Sequence, residues 1–88
     1  MKEFKGETKS GFKYIVTMAA LNNYELLEEL NGLESNPLKI VRVVELLLGT
    51  EQKKKLLEHL RDEDGTVPTE KVNNEITEIF ENIKIKKS

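Results

Sequence analysis

Eighty-eight residues with 14 Lys and Arg against 16 Asp and Glu, a net charge of −2 and 38% hydrophobic side chains make one domain with a small core, and a chain of this size buries roughly 60–65% of its unfolded surface. The absence of Cys excludes disulfides, thiolate metal sites and a cysteine nucleophile, and fits a reducing compartment. No apolar run, Leu46-Leu47-Leu48 included, is long enough to span a membrane or to serve as a signal peptide.

The chain opens on an expected β-hairpin over residues 2–17. Phe4 precedes a turn-like stretch from Gly6 to Gly11, after which Phe12, Tyr14 and Val16 alternate with Lys13, Ile15 and Thr17. Period-2 spacing of aromatic and β-branched residues puts Phe12, Tyr14 and Val16 on one buried face and turns Ile15 the other way. A lone hairpin is marginal in water, so this one must rest on other elements.

A helix is expected from Tyr24 to Leu30, capped by Asn22 or Asn23, with Glu25 in its first turn. Leu26, Leu27 and Leu30 share one side, Glu28 and Glu29 the other, and Asn31-Gly32 offers a left-handed end. The second helix is the most apolar element. Asn36 caps it, and Pro37 takes the first position, where a missing N–H costs nothing. Leu38, Ile40, Val41, Val43, Val44, Leu46, Leu47 and Leu48 follow, and Gly49 closes the run. Lys39, Arg42 and Glu45, spaced by three, leave one narrow polar stripe on an otherwise apolar cylinder. A helix this short and this rich in β-branched residues needs burial to hold it.

Thr50 caps a third helix with Leu56, Leu57 and Leu60 on its apolar face and Lys53, Lys54, Lys55 and Glu58 toward water. Asp62-Glu63-Asp64-Gly65 ends it. A last helix begins at Val67-Pro68 and carries Val72, Ile76, Ile79, Phe80 and Ile83 on one amphipathic face. Residues 84–88 read as a basic flexible tail. The expected fold over residues 1–83 is therefore mainly α (α+β), an N-terminal β-hairpin followed by about four short helices in a compact bundle, monomeric or weakly self-associating.

Charge is unevenly spread. Residues 1–17 carry four Lys against two Glu, net +2; residues 18–83 carry seven basic and fourteen acidic side chains, net −7; residues 84–88 carry three Lys. A nucleic-acid reader concentrates cations on its folded face, and here that part is acidic, so no nucleic-acid partner is expected. The Lys53-Lys54-Lys55 run reads as a solubility feature of a helix face.

Chemistry-bearing constellations fail on spacing. Placing Gly65 as the sixth residue of a calcium loop puts Leu60 first and Lys71 last, neither of them a ligand of that loop. His59 is the single histidine and cannot build a zinc site without further N or S ligands. No motif gives it a nucleophile and an orienting partner, and the five glycines are scattered singly with no phosphate loop among them. No enzyme activity, catalytic residue, metal or cofactor is expected. What remains is protein-binding surface: the apolar helix from Pro37 to Leu48 serves as the central core helix, or leaves part of itself to another copy or to a target helix, and different faces can serve each.

The run Asn36-Pro37-Leu38 and Val43-Val44-Glu45-Leu46-Leu47-Leu48-Gly49, followed by Glu51-Gln52-Lys53-Lys54-Lys55-Leu56 and His59-Leu60-Arg61, continues through Glu63-Asp64-Gly65 and Val67-Pro68. With the later spacing of Val72, Glu75, Ile76, Glu78, Ile79 and Phe80, it resembles small tail-assembly chaperones encoded by siphophages and prophages of Gram-positive bacteria, just upstream of the tape-measure gene. The resemblance covers residues 36–80 and, more loosely, the Lys-rich first strand; Asn22 to Ser35 has no counterpart in it.

Such a resemblance implies a non-enzymatic factor of the host cytoplasm, absent from the mature virion. It implies a protein that coats the tape-measure protein, helps recruit tail-tube subunits and then departs. It also implies that a frameshifted longer form can accompany the short one. From the apolar pattern alone, the expected partner groove comprises Val44, Leu47 and Leu48 on the second helix with Leu56 and Leu60 on the third, and Lys53 and Lys54 as rim charges. The alternative is a small acidic regulatory or inhibitor protein that binds a basic partner, for which the −7 middle would mimic phosphate charge.

Overall fold

Alternation of Phe12, Tyr14 and Val16 organises the N-terminus. In the structure, a computed structural model that describes residues 2–87 and the side chains as far as residue 83, β1 (Glu3–Glu7) pairs antiparallel with β2 (Lys13–Thr17). Lys5 lies opposite Ile15 and Gly6 opposite Tyr14. Phe12, Tyr14 and Val16 are buried and Ile15 is exposed, as the pleat requires. The turn is tighter than expected: Gly6 and Glu7 belong to β1, and the tip closes where the Thr8 N–H donates to the Phe12 carbonyl at 2.9 Å. Gly6 sits in a strand because the Tyr14 ring lies across it, and a Cβ there would stand 2.5 Å from the Tyr14 hydroxyl.

Thr17 then opens a single helical turn, α1 (Met18–Leu21), that no apolar period announces; its Oγ1 accepts from the Ala20 N–H at 3.1 Å. Asn23 caps α2 (Tyr24–Gly32), its Oδ1 accepting from the Glu25 N–H at 2.9 Å. The end of α2 departs from the left-handed closure expected at Asn31-Gly32. No positive φ occurs there, and the Leu33 N–H instead bonds the Leu30 carbonyl at 3.2 Å. The missing side chain of Gly32 makes room for Lys39, whose Cδ would stand 2.8 Å from a Cβ at that position.

Asn36 caps the next element as expected, its Oδ1 accepting from the Leu38 N–H at 3.2 Å over a 3-10 turn, Pro37–Lys39, that leads into α3 (Ile40–Leu60). Gly49 has φ 82° and ψ 166°, which breaks α3 into two arms, 40–48 and 50–60. Crowding of a Cβ against the neighbouring carbonyl disfavours that conformation for any L side chain, so the glycine seen in the sequence as a stop is a kink between two helical arms. α4 spans Thr69–Lys87. Its backbone runs helically into the stretch set apart as a tail, while the side chains from residue 84 on, and Ser88 entirely, lie outside the described residues.

One apolar cluster joins these parts. The buried face of β2, Leu26 of α2, both arms of α3 and Val72, Ile76, Ile79 and Ile83 of α4 pack together, so the hairpin gains the support that a two-stranded ribbon lacks by itself. Among the described residues no helix is long and apolar enough to cross a membrane.

Candidate interaction surface

The residues expected to line a partner groove are largely core. Leu47, Leu48, Leu56 and Leu60 are buried, as is Val44. The physical reason is that the hairpin and α4 come together over that side of α3, and the cluster they form encloses all five side chains. Leu47 and Leu48 reach only the wall of a cleft of about 280 Å³ at the kink, bounded by Ile15, Thr17, Leu46 and Gln52. Of the expected rim charges, Lys54 is exposed, whereas Lys53 is half-buried and pairs with Glu45 at 3.6 Å.

A different part of the same helix reaches solvent. Leu38 is 78% exposed and Val41 61% exposed. They lie three residues apart, and Glu45 continues the same stripe, so the solvent-facing arc of the rod is wider than the Lys39–Arg42–Glu45 line. The helical period carried that signal, since Val41 projects only ~40° from Glu45 at 100° per residue. Identifying an exposed apolar residue beside a polar stripe requires knowing which side its neighbours cover.

Two clefts flank this arc and share Ile40. One, of about 210 Å³, is walled by Val41, Val44, Lys53, Leu57, Val67 and Val72. The other, of about 330 Å³, lies between Leu30, Leu33 and Pro37 on one side and Ile76, Thr77 and Phe80 on the other. Both lie along α4, one turn of it apart at Val72 and Ile76, with Ile40 in the wall of each, and the first is the apolar furrow beside Val41. Val44, at the floor of the first cleft, is the expected groove residue that this furrow retains. Apolar walls with few polar groups suit an apolar helical stripe rather than a small polar molecule.

The polar cluster of the molecule lies elsewhere, under the hairpin tip. Glu75 of α4 is buried and accepts from Thr8 Oγ1 at 2.7 Å and from Ser10 Oγ at 3.0 Å. His59 Nε2 stands 3.1 Å from both Ser10 Oγ and the Ser10 carbonyl oxygen. A carbonyl can only accept, so Nε2 carries the proton and donates to both oxygens, while the Ser10 hydroxyl proton points at Glu75. His59 therefore presents no lone pair to Ser10, and the arrangement differs from a serine activated by a neighbouring base. Glu78 Oε2 also accepts from the Lys9 N–H at 2.7 Å. Together these bonds tie the hairpin tip to α3 and α4.

The acidic turn is also occupied by its own chain. Asp64 Oδ1 accepts from the Thr66 N–H at 3.0 Å and from Thr66 Oγ1 at 2.7 Å, and Lys71 Nζ meets Asp62 Oδ1 at 2.7 Å. The Thr66 backbone N–H and then its hydroxyl hold the Asp64 carboxyl below the usual aspartate value. Among the described residues no three His, Cys, Asp or Glu side chains are placed to share a metal ion.

Comparison of the chain with protein-family models, with curated proteins and with solved structures gives no match in any of the three.

Proposed function

We propose that this protein is a tail-assembly chaperone of a siphophage or prophage, a non-enzymatic factor that shelters apolar helical stripes of the tape-measure protein and helps bring tail-tube subunits to it. The exposure of Leu38 and Val41 beside the furrow of Ile40, Val44, Leu57 and Val72 is the observation that supports it. Exposed apolar side chains that continue into an apolar cleft are one form a protein-interaction surface takes. An amphipathic client helix laid along α4 would bury its apolar residues in the furrow and keep its polar face in water, which is helix-in-groove recognition. The partner face is thus Leu38, Val41 and Leu57, with the buried Val44 beneath them and Lys53 at the edge, in place of the buried Leu47, Leu48, Leu56 and Leu60.

Titration calorimetry of the full chain with helical segments of the tape-measure protein encoded downstream tests this. Binding with a negative heat-capacity change is expected, and a Leu38→Asp/Val41→Asp variant should fold as before and lose it. Absence of binding, or binding indifferent to that variant, overturns the proposal. Capture of a basic protein, with affinity that falls steeply as salt rises, would point instead to an acidic inhibitor.

A further inference from the structure

Between the hairpin and the second arm of α3 lies a cleft of about 820 Å³, more than twice the volume of either one along α4. Lys5, Glu7, Lys13 and Ile15 of the hairpin line it, with Gln52 and Lys55 of α3. Pairing sets Lys5 opposite Ile15 and Glu7 opposite Lys13. Alternation puts these four side chains on the outward face of the ribbon, away from the buried Phe12, Tyr14 and Val16. The two hydrogen bonds of 2.7 Å between Gln52 and Ile15 fix the helix beside the strand, so Lys55, three residues further on, shares the cleft with Lys13.

Three lysines meet one carboxylate here, in a chain whose residues 18–83 carry a net charge of −7. Lys5 lies 3.9 Å from Glu3, whereas Lys13 and Lys55 are exposed and make no ion pair among the described residues. Lys53 turns the other way, to Glu45 and the cleft beside Val41, so the lysine run divides between two surfaces. Ile15, 41% exposed, supplies an open apolar side chain among these cations.

We propose that this cleft binds an acidic segment of a protein partner, with carboxylates at Lys13 and Lys55 and an aliphatic side chain between them on Ile15. Charge complementarity steers the segment and fixes its register, and burial of Ile15 against the aliphatic side chain adds to the affinity. A nucleic-acid strand suits the cleft less well. Glu7 stands in its wall, the Tyr14 ring is buried and unable to stack on a base, and the acidic body repels a long polyanion. The cleft shares no residue with the furrow beside Val41, so the inference stands whatever that furrow holds.

Nuclear magnetic resonance titration of the full chain at low salt with a capped Asp-Glu-Leu-Glu-Asp peptide is the test. Amide shifts should centre on Lys13, Ile15, Gln52 and Lys55, and the affinity should fall as salt rises. Replacing the peptide's leucine by serine, or its acids by their amides, should weaken binding at least about tenfold, ~1.4 kcal/mol. Lys13→Glu/Lys55→Glu should lose the acidic peptide by a similar factor, with unchanged far-ultraviolet circular dichroism. That variant should instead take a Lys-Lys-Leu-Lys-Lys peptide at the same cleft, where the wild type takes none. Absence of shifts at the cleft, shifts centred on another surface, or binding indifferent to the double variant or to the peptide changes overturns the inference. An oligothymidylate that binds the cleft more tightly than the acidic peptide overturns it as well.

Discussion

Gln52 and Ile15 exchange two hydrogen bonds of 2.7 Å: the Ile15 N–H donates to Gln52 Oε1, and Gln52 Nε2 donates to the Ile15 carbonyl. The primary amide thus stands where the backbone of a third strand would pair with the outer edge of β2, and it covers that edge at its exposed middle residue. The same Nε2 donates to the Leu48 carbonyl at 2.8 Å, beside the kink at Gly49. One side chain therefore joins the sheet edge to the break in α3.

Gln52→Ala removes three bonds at a partly exposed site. At about 0.5–1.5 kcal/mol for each bond, with water replacing some of them, the expected loss is ~1–2 kcal/mol. Chemical denaturation measures it. Gln52→Glu should be at least as damaging, since a carboxylate oxygen then faces the Ile15 and Leu48 carbonyls. Two variants as stable as wild type would show that the bonds contribute nothing.

Removing the buried carboxylate of Glu75 leaves the hydroxyl of Thr8, itself buried, without its acceptor. Glu75→Ala is expected to cost about 1.5–3 kcal/mol, the range for a hydrogen bond to a charged group, and Glu75→Gln about half of that. Thr8→Val should cost less in the Glu75→Ala background than in wild type, because both changes break the Thr8–Glu75 bond, while the loss of the acceptor for the Phe12 N–H at 3.2 Å remains in either background. Additive losses in the double-mutant cycle would place the two residues in separate roles.

The Tyr14 hydroxyl is buried and, among the described residues, has no hydrogen-bond partner. Its desolvation opposes folding, so Tyr14→Phe is expected to leave stability equal or to raise it by about 1 kcal/mol. Gly6→Ala should act in the opposite sense, at roughly 1–3 kcal/mol, since the added methyl meets the ring that lies across the strand. Thermal denaturation separates the two; a Tyr14→Phe variant that melts several degrees lower would reveal a bond to that hydroxyl.

Asp64 supplies the pH dependence. Its folded value lies below the ordinary 3.8 because the Thr66 N–H and then the Thr66 hydroxyl favour the charged form. The unfolded chain holds the proton at a pH where the folded chain has released it. The stabilising contribution is thus present above the unfolded value and is lost as pH falls through the folded one. Carboxyl carbon shifts followed by nuclear magnetic resonance should give a depressed midpoint for Asp64. Thr66→Val should bring it part of the way back, since the backbone bond survives.

Periodicity and end signals were enough, unaided, for the hairpin face of Phe12, Tyr14 and Val16, the cap at Asn36, the break at Gly49 and the apolar side of α4, and they narrowed the α2 cap to Asn22 or Asn23, of which the structure uses Asn23. These are local matters, decided within a few residues by backbone sterics, a side-chain oxygen reaching an orphan N–H, or alternation along one element. Tertiary structure alone decided which side of the 37–48 rod is covered. It buried Val44, Leu47 and Leu48 beneath the hairpin and α4 and left Leu38 and Val41 in water. It also brought Gln52 to Ile15, 37 residues away, and Glu75 to Thr8, 67 residues away. An apolar period states that a face is oily; only the packing of distant elements determines whether their own chain covers it.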